Sequence, residues 1–214
     1  MNHDLQKVSL QETALTPAKS ISQTGEKNVY VEQVGTLEQN TTVIQVMGRS
    51  SSGVMRPTTQ TVSTTFYHLF VMGGETFEQD SFIVPADRAL SAYWTSEEVR
   101  GKHGNLSEES IEELKTYPAL FMPEADGYYA KAGSEQQAFF GLVSDIRLQE
   151  NGIKIKIHLA WPIPLQSICN IGFNLGMKDM DKALSEVNRT HWAIKRINLL
   201  EELKDANISI FGAV

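Results

Sequence analysis

Cysteine and long apolar runs are the two scarcest features of this 214-residue sequence. Cys169 is its only cysteine, and a lone thiol cannot form an internal disulfide, which fits a reducing compartment. No apolar run reaches the roughly 18 to 20 residues that a membrane-spanning helix needs. Residues 1–7 lack the charged start and apolar stretch of a secretion signal. We therefore expect a cytoplasmic protein with no membrane partner.

Positive charge is also in deficit, since the formal net charge is −7 at pH 7. An acidic surface repels phosphate backbones, so nucleic acid is a disfavoured partner unless a local basic patch exists. Gly73-Gly74 is not followed by Gly-Lys-Ser/Thr, so no phosphate loop is predicted. The five histidines are far apart and show no metal-ligand spacing. The sequence therefore predicts neither a metal site nor a cofactor, although a small-molecule ligand remains an option.

Signals for a catalytic nucleophile are missing as well. Cys169 falls in an apolar helical stretch, where a buried structural thiol is expected because an apolar site disfavours the thiolate. No serine has the glycine-flanked setting of a nucleophile elbow. The glutamate pairs mark helix starts rather than an acid/base pair. Catalytic residues therefore stay unassigned.

Composition divides the chain into four parts. Residues 1–20 form a polar tail, and residues 21–47 alternate apolar and polar side chains in two or three short strands. This β segment is too small to stand alone, so it must pack on the main domain or pair with copies of itself. Residues 48–65 are rich in Ser and Thr and predict a flexible linker, with a Thr-rich edge strand at its end as the alternative. Residues 66–214 contain the globular domain.

A β-hairpin is the clearest element of the 66–214 domain. Residues 139–148 are apolar and β-prone, Asn151-Gly152 supplies a turn, and residues 153–159 alternate. The isoleucines of the second strand are expected to face a core, while Lys154, Lys156 and His158 face outward. Helices follow the strands rather than alternating with them. The predicted fold class is therefore α+β, with an antiparallel sheet, a hairpin at about 139–159 and C-terminal helices.

Capping patterns locate the helices. Thr95 and Ser107 are predicted N-caps, each followed by glutamates that favour a positive helix end. Pro164 suits the first position of a helix that continues to Gly176. Two further helices are predicted over 180–187 and 190–205, the last ending in a Schellman cap at Asn207 and Ile208. Residues 208–211 are expected to form a short terminal strand.

A basic turn with an aromatic residue is the main candidate binding site. If residues 190–205 form a helix, His191 and Lys195 lie one turn apart, and so do Trp192 and Arg196. Such a turn can bind phosphates or stack on a base. The alternative is an ordinary helix start with Trp192 in the core. The candidate binding residues are Arg189, His191, Trp192, Lys195 and Arg196, with His158 from the hairpin.

Aromatic residues at the hairpin ends give a second candidate. Phe139 and Phe140, together with Trp161 and Pro162, flank the two strands. They either floor a groove or pack into the core.

Two stretches carry a resemblance. Residues 21–40, which include Gln23, Gly25, Val29 and Val31, resemble short Gln/Asn/Gly-rich β segments on bacterial proteins of conflict and anti-phage systems. Residues 139–159 and 188–199 are similar to a group of uncharacterised bacterial proteins. The resemblance implies a bacterial or phage source and a binding role, and it transfers no catalytic residue.

These observations favour a non-enzymatic binding or assembly module. Its 66–214 domain would bind a protein partner or a small ligand, and residues 21–47 would tether or self-associate it by strand pairing. One alternative is an enzyme acting on a nucleotide or nucleic acid, with His158, His191, Lys195 and Arg196 lining one pocket. The other is a regulator that binds nucleic acid through residues 189–196.

Overall fold

The computed structural model describes residues 31–32, 40–49 and 55–210, which form nine β-strands and four α-helices. The predicted polar tail at 1–20 lies outside these residues. The strands are β1 (Val31–Glu32), β2 (Thr41–Arg49), β3 (Met55–Ser63), β4 (Tyr67–Met72), β5 (Ser81–Val84), β6 (Pro118–Pro123), β7 (Gln137–Gln149), β8 (Gly152–Pro164) and β9 (His191–Lys195). The helices are α1 (Glu97–His103), α2 (Glu108–Leu114), α3 (Leu165–Asn170) and α4 (Leu199–Asp205), with short 3-10 turns at Ala86–Arg88 and Glu186–Asn188. The predicted α+β class is confirmed.

A six-stranded sheet in the order β5-β8-β7-β6-β4-β9 organises the domain. All neighbours are antiparallel except β4 and β6, which are parallel. Parallel neighbours need a crossover, and β5, α1 and α2 supply it. The sheet is therefore mixed: the predicted antiparallel pairing is found in four of its five neighbouring pairs, and β4 with β6 is the parallel exception.

Apolar residues cover both faces of the central strands of this sheet. On the face of α1 and α2, the rings of Phe121 and Trp192 stack with the ring of Phe70. Their centroids lie 5.1 and 5.4 Å, respectively, from the centroid of the Phe70 ring. On the other face, strand residues such as Leu69 and Leu120 pack with α3 and α4. The central strands β4 and β6 are consequently buried almost throughout.

The predicted hairpin is confirmed as β7 and β8. Gly152 at the turn has φ +139°, a region that favours glycine. Ile153, Ile155 and Ile157 are buried on the α1/α2 face, while Lys156 is exposed and Lys154 half-buried on the other. The pairing has two register shifts, after Phe140 and after Val143, and each strand is 13 residues long.

The flexible-linker prediction is wrong for residues 55–63, because β3 pairs with β2 along its whole length. The Thr-rich strand, predicted as the alternative, is what forms. The base of this hairpin is fixed to the domain: Ser63 N donates to Thr116 O at 2.8 Å, and Ile44 and Val62 are fully buried. Residues 41–47 of the predicted 21–47 segment therefore pair within their own chain. Residues 21–30, 33–39 and 50–54 lie outside the described residues.

One of the two predicted helix N-caps is confirmed. Ser107 caps α2 as predicted, and its Oγ accepts from Ser110 N. The cap of α1 is Ser96 rather than Thr95: Ser96 Oγ accepts from Val99 N, whereas Thr95 is buried. Helix α3 begins one residue after Pro164 and ends at Asn170.

The end of α4 has the predicted Schellman geometry. Asn207 has φ +56°, its N–H donates to Lys204 O, and Ile208 N donates to Leu203 O at 2.8 Å. Two helix predictions are wrong: 180–187 is a loop up to the 3-10 turn, and 190–198 contains β9 instead of a helix. The predicted terminal strand is also wrong for 208–210, which form no strand, and residue 211 lies outside the described residues.

No α-helix within the described ranges combines the length and apolar content required to span a bilayer.

Candidate functional site

The predicted basic turn forms a strand because His191–Lys195 completes the edge of the main sheet. It pairs antiparallel with β4, where Phe70 lies opposite Trp192. Side chains alternate along a strand, so His191 and Lys195 lie on one face and Trp192 on the other. All five residues of β9 are buried, which explains why the sequence shows no strand alternation there. Asn188, which precedes β9, closes the 3-10 turn by accepting from Ser185.

Three of the predicted residues are internal. His191 Nε2 lies 2.9 Å from Oε1 of Glu186, and Lys195 Nζ lies 2.7 Å from the same oxygen. Glu186 Oε2 accepts from Lys195 Nζ at 2.9 Å and from Lys178 N at 2.7 Å. Trp192 is fully buried and donates from Nε1 to His68 Nδ1 at 3.1 Å. We call Glu186, His191 and Lys195 the buried charge cluster.

The buried charge cluster is electrostatically coupled. Burial raises the pKa of Glu186, but the hydrogen bond from His191 and the charge of Lys195 outweigh it and hold the pKa below its ordinary value. Burial also lowers the pKa of Lys195, against the opposing effect of Glu186. The side chain of Glu186 has no exposed surface, and those of His191 and Lys195 have at most 6%. The cluster therefore fixes β9 to the preceding loop rather than facing solvent.

The remaining predicted residues are dispersed. Arg196 is exposed and lies 3.4 Å from a carboxylate oxygen of Glu98, whereas Arg189 is exposed and its carbonyl faces His191 Nδ1 at 2.7 Å. His158 lies on β8, on the same face of the sheet as His191, because it pairs with Leu142. Strands β7, β6 and β4 lie between β8 and β9, and at ~4.8 Å per strand the separation is about 19 Å. The prediction of one pocket lined by both histidines is therefore wrong.

The second aromatic candidate divides between the two faces of the sheet. Phe140 pairs with Trp161 on the α3 face, and Phe139 pairs with Pro162 and packs on the α1/α2 face. Phe140 is fully buried. These aromatic side chains contribute to two cores and do not line a common groove.

Sequence reasoning missed a group of exposed apolar side chains that we call the aromatic rim. Its members are 48–67% exposed: Tyr93, Tyr128, Tyr129, Phe173 and Leu184. They come from the loop before α1, the β6–β7 loop and the α3–β9 loop. No local pattern marks them, because exposure of a loop tyrosine depends on tertiary packing.

Hydrogen bonds join the three loops of the aromatic rim. Tyr129 N donates to Ala183 O at 3.0 Å, and Tyr93 OH donates to Asp179 Oδ2 at 2.6 Å. Lys178 Nζ donates to Tyr93 O at 2.6 Å and lies 5.3 Å from the centre of its ring. The rim is therefore carried by segments that hold one another in place.

Two of these loops contain non-glycine residues with positive φ. Tyr129, Ala130 and Asp179 have φ of +56°, +54° and +58°, a region that side chains other than glycine seldom adopt. The Ala130 carbonyl accepts from Gln166 Nε2 of α3, which helps to hold this conformation. Strained residues that persist under such constraint cluster at functional sites.

The cavity and the cysteine of the described residues give less support for a functional site than the aromatic rim does. An apolar cavity of about 240 Å³ is lined mainly by Leu90, Leu106, Leu148 and Ile153. Among the described residues, no group of three His, Cys, Asp or Glu side chains is placed to hold a metal ion. Cys169 is buried, and burial raises its pKa to about 11, in line with the structural role predicted.

Comparison with known proteins identifies no relative, so a function has to be argued from the features described above. No protein-family model, no curated protein and no solved structure matches this chain.

Proposed function

We propose that this chain is a non-enzymatic module that binds another protein through the aromatic rim. The supporting observation is the exposure of four aromatic side chains and Leu184 on three loops, two of which are hydrogen-bonded to the third. Single exposed apolar residues are ordinary on a protein surface, whereas a cluster marks an interaction site. Tyrosine in particular is enriched among the residues that dominate binding energy in protein interfaces.

The hydrogen bonds that hold the aromatic rim in place favour binding of another protein. Ordering flexible side chains and loops on association opposes binding, so a surface already held in place loses less conformational entropy. The bonds from Tyr93 to Asp179 and from Tyr129 to Ala183 supply that order before a partner arrives. Beneath them, Glu186 holds Lys178 N, so the buried charge cluster supports the same loop.

A photo-crosslinking experiment tests this proposal. A photoreactive phenylalanine analogue is placed at Tyr128 or Phe173, and at Leu148 as a matched control, which is 61% exposed and lies outside the rim. We expect one protein from the native host to cross-link from both rim positions and not from position 148. That protein is then purified and its affinity measured by calorimetry.

The affinity of the purified pair decides the role of the rim. We expect Tyr128→Ser with Phe173→Ser to weaken binding at least tenfold, since hot-spot aromatics contribute about 2 kcal/mol or more. Leu148→Ser should leave the affinity within twofold. Equal cross-linking from all three positions, or an unchanged affinity in the double variant, would rule out the rim as the binding surface.

Self-association is a second proposed role, and the topology narrows where it would occur. Strand β3 covers one edge of β2 along its whole length, whereas β1 covers the other edge only at Val43 and Ile44. Pairing between copies through residues 21–47 would therefore involve β1 and this other edge of β2. Native mass spectrometry of the full chain and of a chain lacking residues 1–39 tests this, and an identical assembly size in both would contradict it.

The proposed setting is a bacterial or phage conflict system. It rests on the resemblance of residues 21–40 to the β segments attached to such proteins. Infection of bacteria that carry or lack the gene tests it, and an equal plaque count in both would contradict it.

A further inference from the structure

The half of the main sheet nearest the β7–β8 turn has an open face on the α3 side. Lys154 lies between Ile83 of β5 and Arg147 of β7, and Lys156 lies between Ser81 and Asp145. Further along β8, Trp161 and Ile163 on the same face join the core. The face thus changes along one strand from packed and apolar to open and polar.

The open face carries excess positive charge in a protein of net charge −7. Arg147 Nε lies 2.6 Å from Asp145 Oδ2. Within the described residues neither Lys154 nor Lys156 forms an ion pair, so two cations on this face are left without a paired carboxylate. We call Ile83, Arg147, Lys154 and Lys156 the basic sheet face.

The edge beside this face has free backbone groups. Asp80 O accepts from Ile157 N at 2.8 Å, so in the antiparallel ladder the groups of residues 80, 82 and 84 point toward β8. The N–H and C=O groups of Ser81 and Ile83 therefore point away from β8. Among the described residues, no strand pairs with this outer edge of β5. An extended chain can add to such an edge by main-chain hydrogen bonds.

We propose that the basic sheet face binds an extended acidic polypeptide segment, which pairs with the outer edge of β5. Side chains on one face of a strand repeat every two residues, as Lys154 and Lys156 do. Acidic side chains at every second position of the added strand would then lie on the same face as the cations, about 10 Å from Lys154 and Lys156 across β5, a gap that two long side chains can span. The apolar atoms of the added strand would cover Ile83, which is 38% exposed. This surface is separate from the aromatic rim, and the proposal does not depend on it.

The observations favour a polypeptide over single-stranded nucleic acid. Proteins that hold single strands combine cations with exposed aromatic rings on which bases stack. The strongly exposed aromatic side chains of the described residues all belong to the aromatic rim, and the basic sheet face has none. A free strand edge, by contrast, offers hydrogen bonds that match a peptide backbone.

Binding of a synthetic peptide to the full chain tests the proposal. The probe is a 16-residue peptide of alternating Glu and Thr, with an alternating Lys and Thr peptide and an oligodeoxythymidine of equal negative charge as comparisons. We expect the acidic peptide alone to bind, with an affinity that falls as salt screens the charges. Amide exchange of Ser81 and Ile83 should slow at least tenfold in the complex, because both N–H groups become hydrogen-bonded.

Charge reversal identifies the surface. K154E/K156E should weaken peptide binding at least tenfold, while K131E/K204E, which changes the net charge equally at exposed lysines elsewhere, should change it less than threefold. Circular dichroism verifies that both variants fold. The proposal is overturned if the acidic peptide does not bind, or if both variants lose the same amount of peptide affinity. It is also overturned if the oligonucleotide binds more tightly than the acidic peptide and K154E/K156E abolishes that binding.

Discussion

Replacing Glu186 by glutamine tests whether the buried charge cluster holds β9 in the sheet. Glutamine keeps the shape of the side chain and removes its charge, so packing is preserved. Lys195 Nζ, which lies within 3 Å of both carboxylate oxygens and has 6% of its side chain exposed, would lose its counter-charge. The amide nitrogen would also place a donor against groups that themselves donate, including Lys178 N.

The size of the expected loss of stability follows from leaving the charge of Lys195 buried without a partner. Removing one partner of a buried ion pair costs about 3–5 kcal/mol, because the other charge remains without compensation. For a protein of this length each 1 kcal/mol shifts the melting temperature by roughly 2–4 °C. Glu186→Gln should therefore lower Tm by roughly 6 to 20 °C.

Urea unfolding and thermal melting measure the effect, with two further variants as controls. Glu112→Gln removes a carboxylate from the exposed pair with Lys115 and should cost less than about 1 kcal/mol. Lys195→Met combined with Glu186→Gln should cost less than the sum of the two single changes, because neither partner is left charged alone. Additive losses, or a Glu186→Gln variant as stable as Glu112→Gln, would refute the reasoning.

The same cluster has a definite pH dependence. Because the folded pKa of Glu186 lies below its ordinary value of 4.5, its stabilisation is complete above that value and is lost as the pH falls through the folded pKa. Between pH 7 and 3, Glu186→Gln should therefore lose less stability than the native chain.

Three further predictions concern single residues. Burial lowers the pKa of His68 to about 4, so the NMR resonances of its ring should stay constant from pH 8 to 5.5. The stability that His68 contributes should decrease as the pH falls below 6.5. Titration of the ring near pH 6.5 would contradict the buried hydrogen bond from Trp192. Cys169, with its pKa raised to about 11, should react with a thiol reagent at pH 8 at least a hundredfold more slowly in the folded protein than in denaturant; comparable rates would show that it is accessible. Gly152→Ala should cost more than about 2 kcal/mol by urea unfolding, because the new Cβ would lie 2.4 Å from Val84 O at φ +139°, and a smaller loss would show that the turn relaxes.

Elements governed by near neighbours in sequence were predictable. The β7–β8 hairpin needs only its Asn151-Gly152 turn and the alternation that follows, and α2 needs only Ser107 and the next three residues. The Schellman cap of α4 likewise depends on residues within six positions of Asn207. In each case the information that decides the structure lies inside the element.

Elements decided by distant partners were mispredicted. β9 is buried on both faces, so its sequence has no alternation, and Trp192 meets His68 from 124 residues away. β3 has weak apolar character and owes its conformation to pairing with β2. The aromatic rim was missed for a related reason, since Tyr93 and Tyr129 are distant in sequence and each is hydrogen-bonded to the α3–β9 loop.

The position of β4 between β6 and β9 has a consequence for how the chain is made. During synthesis, one edge of this apolar strand stays unpaired until the ribosome has released residue 195, because β9 supplies the antiparallel partner. Nascent chains that stop before that point would expose a strand edge with Leu69 and Val71 alongside it, a template for aggregation. Contacts this distant in sequence also slow folding. Chaperone binding to stalled nascent chains should consequently persist up to residue 190 and decrease once β9 has emerged.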